Sequence, residues 1–263
     1  VDEMSRSARI PDGRTIDVAV TRHPADKPEE RIGTLFMNPG GPGGSAIELA
    51  RSYSRAGAIG DRFDIVGFDP RGVGDSSPLD CHSHLVDIYD ADPTIDSEAD
   101  RTETLETSQA FVDECKQKYG EILPFLGTTD VARDMDEIRK AIGDEQLNYL
   151  GYSYGTSLGQ EYARLFPTHV RSMVIDGVTT AETQAGGFDT ALDSYIAHCD
   201  DDGCGFGGQD AGAVIDEVIA AAEKAPIPAP DADRPASPGV VSLALAQALY
   251  SQQLWGSLSS ALR

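Results

Sequence analysis

Gly151-Tyr152-Ser153-Tyr154-Gly155 is a G-x-S-x-G pentapeptide. It lies between an apolar run (Leu147, Tyr149, Leu150) and a segment with one apolar helical face (Leu158, Tyr162, Leu165, Phe166). In that setting it dictates a very tight strand-to-helix turn that lifts the serine hydroxyl above a sheet. The residues two before and two after the serine come close to neighbouring backbone, where only glycine avoids a Cβ clash. Ser153 is also placed at a helix N-terminus, whose free N–H groups and positive dipole end favour an oxyanion. Ser153 is therefore the candidate nucleophile, and Gly151 and Gly155 are the glycines its turn requires. Gly159 would let the following helix pack closely on the sheet. A purely structural serine in a glycine turn is the competing reading, and the strand before and helix after it weigh against that.

The rest of the first 180 residues fits such a turn. Thr15 to Arg22 alternates apolar and polar and reads as a half-exposed strand. Arg31 to Asn38, Phe63 to Asp69, Gln146 to Tyr152 and Arg171 to Asp176 read as further strands. Helices are expected from Ala46 to about Arg55, capped by Ser45, over Glu103 to Tyr119, from Val131 to Ile142 capped by Asp130, and from Tyr154 to Phe166, stopped by Pro167. Alternating strands and helices imply an α/β fold, a mostly parallel sheet with helices on both faces. Asp80 to Asp100 reads as polar and irregular. After about Thr180 no strand is evident. Ala211 to Lys224 and Val240 to Leu262 have helical character, and Ala225 to Gly239 is a proline-rich surface segment. Residues 1–180 are thus expected to form the N-terminal part of a core, and 181–263 the start of a helical lid.

A second glycine-rich loop, Asn38-Pro39-Gly40-Gly41-Pro42-Gly43-Gly44, follows one strand and opens the next helix. A hydrolase needs a backbone N–H from such a loop, facing the one from the residue after the nucleophile. Tyr154 and Gly41 are the expected donors, held in place by a loop that prolines stiffen. The loop has neither G-K-[ST] nor a G-x-G-x-x-G in the dinucleotide register, so a phosphate-binding role is set aside.

The formal net charge is −23, from 44 acidic and 21 basic residues, spread along the chain. Such a surface repels nucleic acid and anionic lipid, and no stretch is apolar enough to span a bilayer. A solvated surface is the plain reading; a field that attracts cationic substrates such as free amino termini is the sharper one. Cys81, Cys115, Cys199 and Cys204 allow three pairings, none of them in a C-x-x-C motif. Proximity along the chain favours Cys199 with Cys204, leaving Cys81 for Cys115; buried free thiols are the alternative. An even count without metal spacing suits an oxidising, exported setting, with a signal peptide already removed. Cys81-His82-Ser83-His84 could ligate a metal, but a disulfide beside two loop histidines is the favoured reading. Asp200-Asp201-Asp202-Gly203 lacks the spaced ligands and distal Glu of a calcium loop. No metal or cofactor is called for.

Four consecutive stretches, PGGPGGSA, GFDPRGVGDSS, TTDVARDMDEIRKAIG and NYLGYSYGTSLGQEYARLFPTHVRSMVIDGV, resemble the secreted tripeptidyl aminopeptidases. These are actinobacterial relatives of the prolyl aminopeptidases within the α/β-hydrolases. The resemblance runs from about Arg31 to Val178. It implies an α/β-hydrolase fold and a secreted or cell-envelope serine exopeptidase that releases short peptides or single residues from free N-termini. Ser153 falls on the family nucleophile, and Gly41 and Tyr154 on its oxyanion donors. Asp69, Arg71, Gly72, Gly74 and Asp75 fall on the family loop D-x-R-G-x-G-x-S, read as architecture that Arg71 and Asp75 pin by hydrogen bonds. Family members are considerably longer, and place their catalytic Asp and His after the lid, in the order Ser, Asp, His. The five histidines, His23, His82, His84, His169 and His198, read as structural or exposed, with His169 at the surface. The triad's Asp and His are therefore expected from a second chain or from a C-terminal half outside these residues, which would also complete the sheet. Alone, the chain is expected to be nearly inactive, with an open sheet edge and a tendency to aggregate. An esterase on the same fold and a non-catalytic binding module are the competing functional readings.

Overall fold

The computed structural model describes the chain apart from residues 1, 10–14, 54–56, 179–180, 203 and 231, and apart from the side chains of residues 2–9, 181–183, 201 and 202. In chain order the elements are strands β1 (Asp2–Arg9), β2 (Thr15–His23) and β3 (Gly33–Asn38), helices α1 (Ala46–Tyr53) and α2 (Ala58–Arg62), and strand β4 (Phe63–Phe68). Helices α3 (Leu85–Asp90), α4 (Glu98–Tyr119) and α5 (Thr128–Ile142) follow, then strand β5 (Leu147–Tyr152), helix α6 (Tyr154–Leu165) and strand β6 (Val170–Asp176). Helices α7 (Ala181–Asp202), α8 (Ala211–Lys224), α9 (Pro238–Leu249) and α10 (Trp255–Ala261) complete the chain.

The chain divides into two compact units: residues 1–80 with 119–180, and residues 81–118 with 181–263. The sequence led us to expect one block from 1 to 180. Instead, Cys81–Lys118 belongs with the C-terminal helices. The reason is visible within that unit, where Asp90 at the end of α3 accepts from Arg234 at 2.9 Å and from Ser237 at 3.0 Å.

In the first unit all six strands form one sheet in the order β1-β2-β4-β3-β5-β6. The pairings β3–β4, β3–β5 and β5–β6 are parallel, while β1–β2 and β2–β4 are antiparallel. Strand side chains alternate between two faces, and each face has its own cover. Phe36, Val66, Leu147 and Tyr149 pack with Val131, Met135, Leu158 and Tyr162 from α5 and α6. Met37 and Ile65, one position along, pack on the opposite face with Ala50 of α1. A Cβ on Gly67 would lie 2.0 Å from the Ala46 carbonyl oxygen, so its absence lets α1 lie directly on β4.

One helix start differs from its sequence signal. Helix α5 begins three residues before Val131, with Gly127 as its N-cap, and Asp130 lies inside its first turn. The hydroxyls of Thr128 and Thr129 are used to tie α5 to α6, bonding Tyr154 at 2.7 Å and Glu161 at 2.6 Å. Ser45 does cap α1, accepting from the Glu48 N–H at 3.2 Å.

Beneath the sheet, Asp136 (1 % exposed) accepts from Arg139 at 2.8 Å, Tyr162 at 3.0 Å and His169 at 2.9 Å. His169 is thereby drawn half inside, where the sequence suggested a surface position. Burial alone would push the Asp136 carboxyl up; the bonds from Arg139, Lys140, Tyr162 and His169 outweigh it and hold the group well below the ordinary carboxylate range.

The second unit has its own core, built from Tyr195, Phe206, Val214, Ile215, Trp255 and Leu258. Helix α7 crosses a Gly- and Asp-rich stretch, and the last helical segment is interrupted at residues 250–254. Disulfides join Cys81 to Cys115 and Cys199 to Cys204, and no described cysteine is free. Among the described residues no helix is long and apolar enough to cross a membrane.

Two outcomes follow from this packing. A carboxyl depressed in the folded state adds stability that is complete above its unfolded pKa and is lost as pH falls toward the folded one. Chemical denaturation of Asp136→Asn should therefore show a loss of about 3–5 kcal/mol near neutral pH that shrinks below about pH 4. A loss that stays constant down to about pH 2.5 would contradict the assignment. Strand β6 ends the sheet, and Val174 on its uncovered face is 60 % exposed. Val174→Lys should lower light scattering by the isolated chain without lowering its melting temperature; unchanged aggregation would place the sticky surface elsewhere.

Candidate active site

Strands β3, β4, β5 and β6 end side by side, so the loops that follow them share one rim of the sheet. Asn38 pairs with Gly151 and Tyr152 with Asp176, which sets the 39–44 loop beside the turn around Ser153. Open α/β sheets place their sites at this carboxyl end of the strands.

Ser153 is the N-cap of α6, with φ 51° and ψ −121°. That φ lies in a region side-chain-bearing residues rarely occupy, and the conformation persists only where its surroundings fix it. Several contacts do so. The Ser153 N–H donates to the Asp176 carbonyl at 2.9 Å, and the Ser153 carbonyl accepts from Thr156 at 2.8 Å. The buried Tyr149 hydroxyl donates to the Gly155 carbonyl at 2.8 Å. A Cβ on Gly151 would lie 2.6 Å from that same carbonyl oxygen, and one on Gly155 would lie 2.8 Å from the Asn38 carbonyl oxygen. Both elbow glycines are thus required sterically. The Ser153 side chain is half-buried, and among the described residues its hydroxyl has no hydrogen-bond partner.

The 39–44 loop reaches this turn through Gly40. With φ at +92°, Gly40 has no room for a side chain: a Cβ would lie 2.5 Å from the Tyr152 carbonyl oxygen and 2.9 Å from both Ser153 Cβ and the Tyr154 nitrogen. The loop is folded on itself, with Gly40 N–H donating to Asn38 Oδ1 at 2.9 Å and Gly44 N–H to the Gly40 carbonyl at 3.1 Å. Gly41 follows at φ +110°, and its peptide bond to Pro42 is cis. Tyr154 is the first residue of α6, where N–H groups have no intrahelical acceptor. Gly41 and Tyr154 therefore lie on the two segments that meet at Gly40.

Asp69, at the end of β4, braces the rim. Its carboxylate accepts from Ser45 Oγ at 2.9 Å and from the Asp75 N–H at 3.1 Å. The Ser76 hydroxyl donates to the Asp69 carbonyl at 2.6 Å and accepts from the Ala19 N–H at 2.9 Å. Arg71, 5 % exposed, makes a two-pronged pair with Asp134 at 2.7 and 2.5 Å and donates to the Phe125 carbonyl at 2.7 Å. Arg71 pins its loop, as its place in the sequence suggests. Asp75 contributes its backbone N–H while its side chain is exposed; the carboxylate doing the organising is Asp69, helped by the Ser76 hydroxyl.

Sequence reasoning missed three supports of the site. Asn38 is buried at the end of β3 and orients Gly40. Tyr149 sits inside the sheet and fixes the turn. Tyr152 shares a hydrogen bond with Tyr53 at 2.6 Å, which, with burial, pushes the Tyr152 phenol up to about 12. A polar or phenolic residue at a fully apolar strand position was the available signal.

Neither His23 nor His169, the histidines of the sheet-bearing unit, lies at the end of the sheet where Ser153 stands. His169 precedes β6, a whole strand length from Asp176, or about 20 Å at 3.3 Å per residue. His23 pairs with Ile65 in the first half of β4 and faces Asp26 at 3.4 Å. In the other unit, His84 lies 3.6 Å from Asp87 and His198 packs on Trp255. Among the described residues no group of His, Cys, Asp or Glu side chains is arranged to hold a metal ion. The side chains of Asp201 and Asp202, and Gly203 itself, lie outside the described residues.

Residues 33–214 match the family model for the alpha/beta hydrolase fold. Curated relatives include the serine protease Hip1 of Mycobacterium tuberculosis, 38% identical over 278 residues, covering 96% of this chain and 52% of the relative. A tripeptidyl aminopeptidase of Streptomyces lividans is 41% identical over 194 residues, covering 71% of this chain and 36% of the relative. A carboxylesterase B of M. tuberculosis is 39% identical over 274 residues, covering 96% and 51%. The chain thus spans about half the length of Hip1 and of the carboxylesterase, and less of the aminopeptidase. Among solved structures, a proline iminopeptidase of Mycobacterium smegmatis superposes with a TM-score of 0.50 at 18% identity, covering 98% of this chain and 67% of that one.

If Gly40 is the point where loop and turn meet, Gly40→Ala should lower the rate at which a fluorophosphonate labels Ser153 by about a hundredfold, since a displacement near 1 Å at a reacting centre costs that much. Labelling of the folded variant at the unaltered rate would show that the loop does not define the site.

Proposed function

The chain belongs to the α/β-hydrolase family, and from that premise we propose that it carries the nucleophile half of a serine exopeptidase acting on free peptide N-termini. The observation that carries this reading is the strained, half-buried Ser153, whose turn abuts the Gly40 loop. In the proposed reaction Ser153 Oγ gives its proton to the general base and attacks the scissile carbonyl. The C–N bond breaks, and the remaining peptide leaves as an amine that takes that proton. Water then hydrolyses the acyl-enzyme to release the N-terminal fragment as a carboxylic acid. The Tyr154 and Gly41 N–H groups hold the oxyanion; losing one such donor costs about 3 kcal/mol in the transition state.

The general base and its orienting carboxylate would come from outside these 263 residues. Supporting this are the positions of His23 and His169 away from the Ser153 end of their strands, and the greater length of the relatives. Without them, serine keeps only what the oxyanion hole and binding supply, about 10³–10⁴-fold over water. The helical unit, residues 81–118 with 181–263, would act as the lid that selects the substrate. The two disulfides favour an exported or cell-envelope protein. The net charge of −23 favours attraction of a protonated amino terminus. A serine protease and a tripeptidyl aminopeptidase among the relatives favour peptide over other acyl substrates. The relative named carboxylesterase B keeps a second reading in play, an esterase using the same nucleophile.

Two measurements decide between these readings, both on the protein with its catalytic histidine and aspartate present. A fluorophosphonate should label the protein and fail to label Ser153→Ala; equal labelling of the two removes Ser153 from the chemistry. A tripeptidyl p-nitroanilide should be cleaved when its amine is free and resist cleavage when it is acetylated. Turnover of short acyl esters with both anilides inert would support the esterase instead.

A further inference from the structure

Helix α1 carries the 39–44 loop at its N-terminal end, because that loop runs straight into Ser45 and Ala46. Whatever holds α1 against the end of β5 therefore also holds the loop against the Ser153 turn. The bonds made by the loop itself point elsewhere: Gly40 N–H to Asn38, Gly44 N–H to Gly40, and Ser45 Oγ to Asp69. Gly40 meets residues 152–154 only by close packing. A side-chain hydrogen bond between α1 and the elbow is made by Tyr53, the last residue of α1, with Tyr152, the residue before Ser153. Their hydroxyls lie 2.6 Å apart across a separation of 99 positions. The Tyr53 side chain also packs against the cluster of Met37, Ala50 and Ile65 under α1, which anchors the hydroxyl.

We propose that the Tyr53–Tyr152 hydroxyl pair is a positioning device that sets the spacing between the oxyanion loop and the nucleophile turn. This rests on the reading of Ser153 as a nucleophile. Neither phenol needs to touch the substrate. The pair acts through geometry, by keeping a backbone in a strained conformation from relaxing away from the donors opposite it. The bond ties the helix that follows the 39–44 loop to the residue before Ser153, so its loss should lower the rate of the chemical step rather than the affinity for the reagent.

Inactivation kinetics with an alkyl fluorophosphonate test this, because its phosphonyl oxygen occupies the oxyanion hole whatever the natural substrate. Tyr53→Phe, Tyr152→Phe and the double variant keep both rings and remove only hydroxyls. Rates are taken per folded molecule, judged by near-ultraviolet circular dichroism, in the protein with its full catalytic set. Each single variant should lower the maximal inactivation rate about tenfold, with the half-saturating concentration unchanged within about twofold. The double variant should fall no further than the singles, because all three lose the same bond. The inference is overturned if Tyr53→Phe reacts at the unaltered rate, if the two effects multiply, or if only the half-saturating concentration of Tyr152→Phe rises. Ser153→Ala separates the two levels. If that variant still reacts, the nucleophile assignment fails; if it is inert while Tyr53→Phe is unaffected, only the pairing fails.

Discussion

The molecule is organised around one backbone conformation that it holds against local preference. Ser153 sits at φ 51° with a side chain attached, in a region where such residues carry about 1–3 kcal/mol of strain. That strain is offset by a set of contacts with little freedom to change. The N–H of Ser153 is bound to the end of β6, its carbonyl to Thr156, and the carbonyl of Gly155 to the phenol of Tyr149. Glycines at 151, 155 and 40 remove the three Cβ atoms that would otherwise force the turn open. The result is a turn that holds Ser153 at the N-terminus of α6 with the Gly40 loop packed against it, and the proposed acyl transfer depends on that placement.

The neighbouring loops are arranged around that turn by a second, polar layer. Asp69 takes hydrogen bonds from Ser45, which follows the 39–44 loop, and from its own loop, and Ser76 ties that loop to β2. Arg71 and Asp134 are both buried and paired in two-pronged fashion, joining the loop after β4 to α5. Two-pronged guanidinium–carboxylate pairs fix orientation as well as distance. Charged groups are costly to bury, so this layer serves geometric definition more than net stability. Helix α5 is then tied to α6 through Thr128 and Thr129, so the helix that Ser153 caps is braced on more than one side.

How much of this could be read from the chain depended on whether the signal was local. The strands β3 to β6, the Ser45 cap, the elbow and both glycine-rich loops follow from hydrophobic alternation and glycine spacing, which act within a few residues. Strand β1 was not evident, because its sequence DEMSRSAR is polar and its pairing with β2 comes from tertiary context. Helix α7 crosses glycines that weaken helix propensity, and part of its support comes from Tyr195 and Cys199 in the core of its unit. The start of α5 was misplaced because Asp130 has the chemistry of a cap, whereas it lies inside the first turn of a helix that begins at Thr128 after Gly127. Asp69 as the organising carboxylate, and the partners of Tyr149 and Tyr152, depend on residues far apart in sequence. The grouping of residues 81–118 with the C-terminal helices is likewise a long-range outcome, made by contacts such as Asp90 with Arg234.

The central claim is geometric: the turn at Ser153 and the Gly40–Gly41 segment together form one oxyanion site. A crystal structure of the phosphonyl adduct tests it most directly. The account predicts phosphorus bonded to Ser153 Oγ, with the phosphonyl oxygen about 2.7–3.1 Å from the nitrogens of both Tyr154 and Gly41. Phosphorus on another residue, or a phosphonyl oxygen turned away from either nitrogen, would contradict it.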